Sequence, residues 1–329
     1  MSFSRPLKAT FSRVPRVLPM VTSPPVRGVE IDWEIAPSTG KVVSHIRQND
    51  YDIFEYSIAG YVTALQSGVA QRLGWTALPI FLSRPIGMFE NFVTNVDSGI
   101  ESFADLSGKR IGILEYRMTA GVWLRAILRQ LYGIEPTSMR WVNSHVMSES
   151  YMAELGAPDT LAEGLVIEDR TTPDLASQVA AGDLDAAFAD PGAGLDDPHV
   201  RRPFDASATV QLFAQMASSM GATPANHLVV VKREVLDSDA KLAVGLYQAF
   251  EAAKQQSYVD ALASAAAYLW APKVEFQQQA ELFGKDPYPS GFSANKDMLE
   301  LMIAQMKYDG QLAGDVTPAD MFPGALLDS

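Results

Sequence analysis

Asp105-Leu-Ser-Gly-Lys-Arg-Ile-Gly-Ile-Leu114, followed without a break by Glu115-Tyr-Arg-Met-Thr119 and then by Trp123, Ile127 and Leu131, reads as a strand, a turn and a helix. The apolar run ending at Leu114 has the length of a strand, and the later stripe recurs every fourth residue until Gly133 stops it. Outward from this unit the alternation continues. Strand-like runs are expected near 7–11, 29–35, 51–58, 76–82, 109–114, 138–142, 184–189, 209–213 and 227–232. A second helix is marked by Leu242, Leu246, Phe250 and Ala253, with Asp237 and Asp239 as acidic cap candidates. The stretch 173–189 reads as a helix ended by Gly182 and followed directly by a buried strand. Such alternation implies an α/β protein, and no internal sequence repeat or low-complexity tract interrupts it.

Composition bounds the function. A chain of 329 residues with 47% hydrophobic residues fills two lobes more readily than one ordinary core. A formal net charge of -13 with no long Lys/Arg run argues against nucleic acid as a partner. The absence of cysteine removes disulfides, thiolate metal sites, structural zinc of the cysteine kind and cysteine nucleophiles. The segment Met1-Ser-Phe-Ser-Arg-Pro has no apolar core of signal-peptide length, and no apolar run reaches about 18 residues anywhere. The expectation is a cytoplasmic protein that does not engage a membrane.

Asp105–Leu114 with its following helix, together with Gly182-Asp-Leu-Asp-Ala186, resembles the second lobe of type II periplasmic binding proteins. Over nearly the whole chain the sequence also resembles the 4,5-dihydroxyphthalate decarboxylase family, a cytoplasmic enzyme branch of that fold. Asn95-Val-Asp-Ser-Gly-Ile100, Leu114–Trp123, His227-Leu-Val-Val-Val-Lys-Arg233, Leu246–Lys254 and Tyr288-Pro-Ser-Gly-Phe-Ser-Ala-Asn295 carry that resemblance. One departure stands out. Where the family has an Arg-His-Ser triplet before the first hinge strand, this chain reads Met88-Phe89-Glu90, so a cationic donor pair has become apolar and acidic.

The resemblance implies an α/β, two-lobed, periplasmic-binding-protein-like (type II) fold with a ligand cleft between the lobes. Lobe one is then 1–90 plus 228–329 and lobe two 91–227, with crossings near 88–95 and 222–230. In such sheets ligands collect at strand carboxyl ends and helix N-termini. Glu115-Tyr-Arg-Met-Thr119 stands at that position in lobe two. Thr119 either caps the helix that follows or, with the next amides, holds a carboxylate. Arg117 is either a bidentate carboxylate clamp or a surface arginine paired to an acid. Glu115 is either a general acid or base or the group that orients Arg117, and the second role is preferred.

His227, opening an apolar strand at the second crossing, is the candidate proton carrier. His45, His145 and His199 lack metal-triad spacing and are read as structural or surface residues. Arg13 and Arg84, after the first and fourth strands, are either ligand contacts or loop charges. Glu90 either accepts hydrogen bonds from the ligand or pairs with Arg84. Tyr116 and Phe89 are candidates for an aromatic wall, with Trp123 better placed for the helix core.

The resemblance implies a cofactor-independent decarboxylase of a hydroxylated aromatic carboxylic acid such as 4,5-dihydroxyphthalate, and no motif announces a metal. Two alternatives stay open: a solute-binding protein for a small carboxylate, and a different lyase on the same scaffold. Met298-Leu-Glu-Leu-Met-Ile-Ala-Gln-Met306 either faces a partner chain, making a homo-oligomer, or packs on its own lobe.

Overall fold

A computed structural model describes residues 5–22, 26, 28–47, 49–84, 86–144, 150–159, 161–169, 174–188, 194, 196–221, 223–239 and 241–329. Among them the strands, in chain order, are β1 (Leu7–Ser12), β2 (Ile31–Ala36), β3 (Ile53–Ser57), β4 (Trp75–Ser83), β5 (Phe92–Asn95), β6 (Arg110–Ile113), β7 (Arg140–Asn143), β8 (Val166–Asp169), β9 (Ala186–Phe188), β10 (Val200–Arg201) and β11 (His227–Lys232).

They form two sheets, β2-β1-β3-β11-β4 and β10-β5-β9-β6-β7-β8. The first has three parallel strands, then β11 running against both β3 and β4. In the second, β7, β6 and β9 are parallel, then β5 runs against β9, with β10 against β5. Each reversed strand is the first that the chain lays down after moving from one sheet to the other. The two lobes thus repeat one topology, with β8 added at the outer edge of the second, although no sequence repeat announces it.

Local chemistry explains the elements. β4 is buried along nearly its whole length, and its sequence Trp-Thr-Ala-Leu-Pro-Ile-Phe-Leu-Ser is correspondingly apolar. β2, at a sheet edge, alternates exposed and partly covered residues. The helix Ile58–Gln66 follows β3 directly and is capped by Ser57, which accepts from the Gly60 amide. The helix Thr119–Tyr132 follows the turn after β6 and ends at Gly133, in the left-handed conformation expected of a C-terminal glycine.

The stretch 209–213 is not a strand but lies inside the helix Ala206–Met220. Thr209, Leu212, Phe213 and Met216 are buried at helical spacing, and Asp205 caps the start by accepting from Ala208 N. β-favouring Val210 and Phe213 suggested extension, but the burial period decides. The helix Leu242–Ala265 also starts differently from expectation. Asp237 ends the preceding helix Arg233–Asp237, and Asp239 accepts from Lys241 N, so neither acid is the N-cap. β5, β8 and β10 had no clear sequence signal, being two to four residues long.

The main core joins the lobes. Phe54, Tyr56 and Trp75 of the first sheet pack, through the Ile58 helix, into one buried cluster with Val122, Trp123 and Ile127. Met298, Leu299, Met302 and Met306 complete it, so the Met-rich face of the helix Lys296–Tyr308 is buried within its own chain. That helix packs on the Thr119 helix. A second cluster on the other side of the first sheet contains Phe11, Leu78, Val229, Leu246 and Phe250. No described helix is long and apolar enough to cross a membrane.

Gly310, just past the Lys296 helix, has φ +72°, and a Cβ there would lie 2.5 Å from Ala162 N. Gly310→Ala therefore combines left-handed strain, costing on the order of 1–2 kcal/mol, with a clash against backbone that cannot rotate away. Gly133 has φ +65° with nothing within 4 Å, so Gly133→Ala incurs the strain alone. Urea unfolding should show Gly310→Ala as the more destabilised of the two, with little change in m. Equal losses would remove the steric argument.

Candidate functional site

Three strands of the first sheet end in serine: β1 at Ser12, β3 at Ser57 and β4 at Ser83. β11 begins at His227, in register with Ser57 on one side and Ser83 on the other. The edge of the sheet facing the second lobe is therefore a row of polar side chains above an apolar floor. Ser83 Oγ and Asn226 Oδ1 are buried beside it and have no hydrogen-bond partner among the described residues. Such orphaned atoms commonly mark a place for water or ligand.

Glu55, flanked in β3 by Phe54 and Tyr56, organises the row. Its carboxylate is 2% exposed and accepts from His227 Nδ1 at 2.7 Å. The second oxygen accepts from Ser12 N at 2.8 Å and Ser12 Oγ at 2.5 Å. Burial pushes the Glu55 carboxyl upward, but the bonds from His227 and Ser12 outweigh it and hold the group below its ordinary value. An ionised Glu55 can only accept, so His227 Nδ1 carries the hydrogen and Nε2 is left as the working nitrogen.

A lowered carboxyl favours folding above the ordinary glutamate pKa of about 4.3, and that contribution is lost as pH falls through the lower folded value. Glu55→Gln should consequently flatten the acid limb of the stability profile. Urea midpoints at neutral and acid pH check this, and an unchanged acid limb would contradict it.

Two helix N-termini converge next to His227. Thr119 Oγ1 accepts from Ala59 N at 3.0 Å and lies 2.8 Å from Ser57 Oγ. Thr119 does not cap its own helix; the cap position is Met118 and makes no side-chain bond. The hydroxyl instead crosses to the helix of the other lobe. The positive ends of both helices and two hydroxyls thus meet at one point, an arrangement that suits a carboxylate oxygen.

The other sequence candidates lie elsewhere. Arg117 is buried and donates to the Pro158 carbonyl. Burial lowers its pKa, while the charges of Glu115, Asp159 and Asp169 favour the guanidinium. Arg117 is therefore a buried residue rather than the surface arginine the sequence allowed, with Glu115 among the acids whose charges favour its guanidinium. Tyr116 is fully buried, its ring stacked 3.7 Å from the Arg125 guanidinium and set edge-on to Trp141. Phe89 is buried among Phe103, Phe188 and Phe213. Both aromatic residues are buried in the core, Tyr116 between Arg125 and Trp141 and Phe89 among other phenylalanines, so neither forms a ligand wall here. Trp123 is buried as expected and donates to the Ala225 carbonyl just before β11.

Arg84 donates to the carbonyls of Thr223, Pro224 and Pro287, and burial lowers its pKa to about 10. It ties the end of β4 to the approach to β11 and does not pair with Glu90. Arg13 and Glu90 are exposed. His45 bonds Thr10 and pairs with Glu34, and His199 is exposed beside Asp197. His145 lies outside the described residues, as does the side chain of Met88. No cluster of three or more His, Asp or Glu suited to a metal occurs among the described residues.

Glu55, Ser12 and Ser57 were missed. The available signals were a charged residue inside the apolar run Ile53-Phe54-Glu55-Tyr56 and the recurrence of serine at strand ends.

Residues 87–162 match the family described as NMT1/THI5 like. The 4,5-dihydroxyphthalate decarboxylase of Comamonas testosteroni is 28% identical over 292 residues, covering 86% of this chain and 85% of that one. The protein of the same name from Pseudomonas putida is 34% identical over 143 residues, covering 43% and 53%. In three dimensions the chain resembles the periplasmic aliphatic sulphonate binding protein SsuA from Escherichia coli, with TM-score 0.55, 14% identity, and coverage of 98% of this chain and 92% of that one. A putative sulfonate-binding SsuA from Methylobacillus flagellatus KT gives TM-score 0.55 at 13% identity, covering 100% and 94%. At such identity the structural likeness establishes the fold alone. The chain is thus similar in sequence to two proteins named 4,5-dihydroxyphthalate decarboxylase and has a two-lobed periplasmic-binding-protein-like fold.

Proposed function

We propose that this relative of the 4,5-dihydroxyphthalate decarboxylases is a cofactor-independent decarboxylase of a hydroxylated aromatic carboxylic acid, 4,5-dihydroxyphthalate being the first candidate. The observation that carries the reading is the Ser12–Glu55–His227 chain set beside the converging N-termini of the Ile58 and Thr119 helices. The lobes are taken as 1–90 plus 228–329 and 91–227.

A carboxylate of the substrate binds where Thr119 Oγ1 now meets Ala59 N and Ser57 Oγ, replacing protein–protein hydrogen bonds with protein–ligand ones. A hydroxyl ortho or para to the departing carboxylate enriches the ring carbon that bears it. His227 Nε2 delivers a proton to that carbon. The bond to the carboxylate then breaks, its electron pair restores the aromatic ring, and carbon dioxide leaves. Glu55 fixes the ring orientation and offsets the charge of doubly protonated His227, which solvent reprotonates after each turnover. A clamp of hydroxyls and amides suits this reaction because it orients the carboxylate without the full charge stabilisation that would slow its loss.

The Met88-Phe89-Glu90 segment supports a grip from the Thr119 side, since Phe89 is committed to the core and Glu90 to solvent. Incubation with a panel of hydroxylated aromatic carboxylates should yield carbon dioxide and a product lighter by that mass from at least one member. Tight saturable binding without turnover would instead make the protein a solute binder, and a product of unchanged carbon count would indicate a different lyase.

A further inference from the structure

We infer that the protein pairs with a second copy of itself through the helical hairpin made by the outer half of the helix Leu242–Ala265, the turn after it and the helix Pro272–Phe283. The inner half of the first helix is anchored, with Leu242, Leu246, Phe250, Ala253 and Ser257 buried. Beyond Ser257 the burial stops, and the return helix Pro272–Phe283 has no buried residue at all.

The exposed surface of this hairpin is apolar. Val259 and Leu262 are exposed on the first helix, Tyr268, Leu269 and Trp270 at the turn, and Val274 on the return. Tyr268 is 85% exposed and Trp270 completely so. At about 100° per residue, Val259 and Leu262 fall on the side of the helix away from Phe250 and Ser257, so they cannot reach the chain's own core. Single exposed apolar residues are ordinary, but a contiguous set crowned by two aromatic side chains is a surface awaiting a partner.

Charge and area identify the occupant. From Ala261 to Ala271 the sequence Ala-Leu-Ala-Ser-Ala-Ala-Ala-Tyr-Leu-Trp-Ala carries no charged residue, in a chain whose formal net charge is -13. Most approaches of two such chains bring like charges together, whereas contact along this strip does not. The same acidity disfavours an anionic membrane surface, and the tip carries no lysine or arginine to offset it. Tyr268 and Trp270 would each bury roughly 150–250 Å², and the four aliphatic side chains extend the patch toward the roughly 800 Å² per partner of a standard interface. A two-fold arrangement uses the same strip on both copies, so no second complementary surface is needed.

Sedimentation velocity of the full chain, over roughly two decades of concentration so that Kd is bracketed, tests the pairing. The expected result is twice the chain mass of 35.8 kDa for the wild type and the single mass for Trp270→Glu/Leu262→Glu with an unchanged far-ultraviolet spectrum. Both substitutions lie on exposed positions outside the His227 cluster. Tryptophan emission of the wild type should also move to the red as the dimer is diluted apart. A wild type that stays at the single mass at every concentration overturns the inference, as does a dimer that survives both substitutions. Capture of the single-mass wild type, but not the variant, by phosphatidylcholine vesicles would assign the hairpin to a membrane surface instead.

Discussion

His227→Ala is expected to lower decarboxylation by a factor on the order of 10²–10⁴ while substrate affinity changes little, the range that loss of a positioned general acid produces. Among the described residues at the carboxyl edge of the first sheet, the His227 imidazole is the group oriented by a buried carboxylate, Glu55 at 2.7 Å, and imidazole is suited to proton transfer. The carboxylate clamp proposed at Thr119, Ser57 and Ala59 N does not involve His227, so binding is expected to survive its removal. Glu55→Gln should lie between the wild type and His227→Ala. Gln can still accept from Nδ1, but it no longer offsets the imidazolium charge. Steady-state kinetics separate the cases: a fall in kcat with KM near the wild-type value supports proton delivery, and a rise in KM alone would make His227 a binding residue.

Arg125→Met should be the most destabilising single change, by about 3–5 kcal/mol. Arg125 and Asp309 are both fully buried, with Nε 2.8 Å from Oδ2. Arg125 also donates to the Tyr116 carbonyl at 2.7 Å, and Gln305 donates to the other Asp309 oxygen at 2.8 Å. Burial already holds the Asp309 carboxyl above its usual range despite Arg125. Without the guanidinium, the carboxylate is stranded, and it regains neutrality by taking a proton. The loss should therefore be greatest at neutral pH and shrink as pH falls. Since domains are stable by only about 5–15 kcal/mol in total, the effect is large in any urea titration. Asp309→Asn, which keeps acceptor geometry without the charge, should cost less. A loss under about 1 kcal/mol for Arg125→Met, the level of an exposed pair, would show that the pair does not hold the Thr119 helix to the C-terminal helix.

The sequence disclosed what depends on neighbours along the chain and concealed what depends on pairing across it. The strand, turn and helix of Asp105–Tyr132 were legible because hydrophobic period and a stop glycine are local signals. His227 was legible as a polar residue opening an apolar strand. Its partner Glu55 stands 172 positions away and became visible only when β3 and β11 were laid side by side. Arg117, Tyr116 and Phe89 were placed on the correct turn and segment, but the direction of each side chain is a tertiary fact. Tyr116 turned inward to Arg125, whose own partner lies 184 positions on. Thr119 was read as a cap for its own helix or a ligand contact, and it serves the facing helix, which no local rule could show.

The most direct test of the central claim follows carboxyl-labelled 4,5-dihydroxyphthalate to labelled carbon dioxide and a monocarboxylic product, with wild type and His227→Ala side by side. The account predicts stoichiometric release by the wild type and near-complete loss in the variant, with the variant still binding substrate. Equal release by both proteins would remove His227 from the chemistry, and no release by the wild type from this or any related acid would contradict the decarboxylase reading itself.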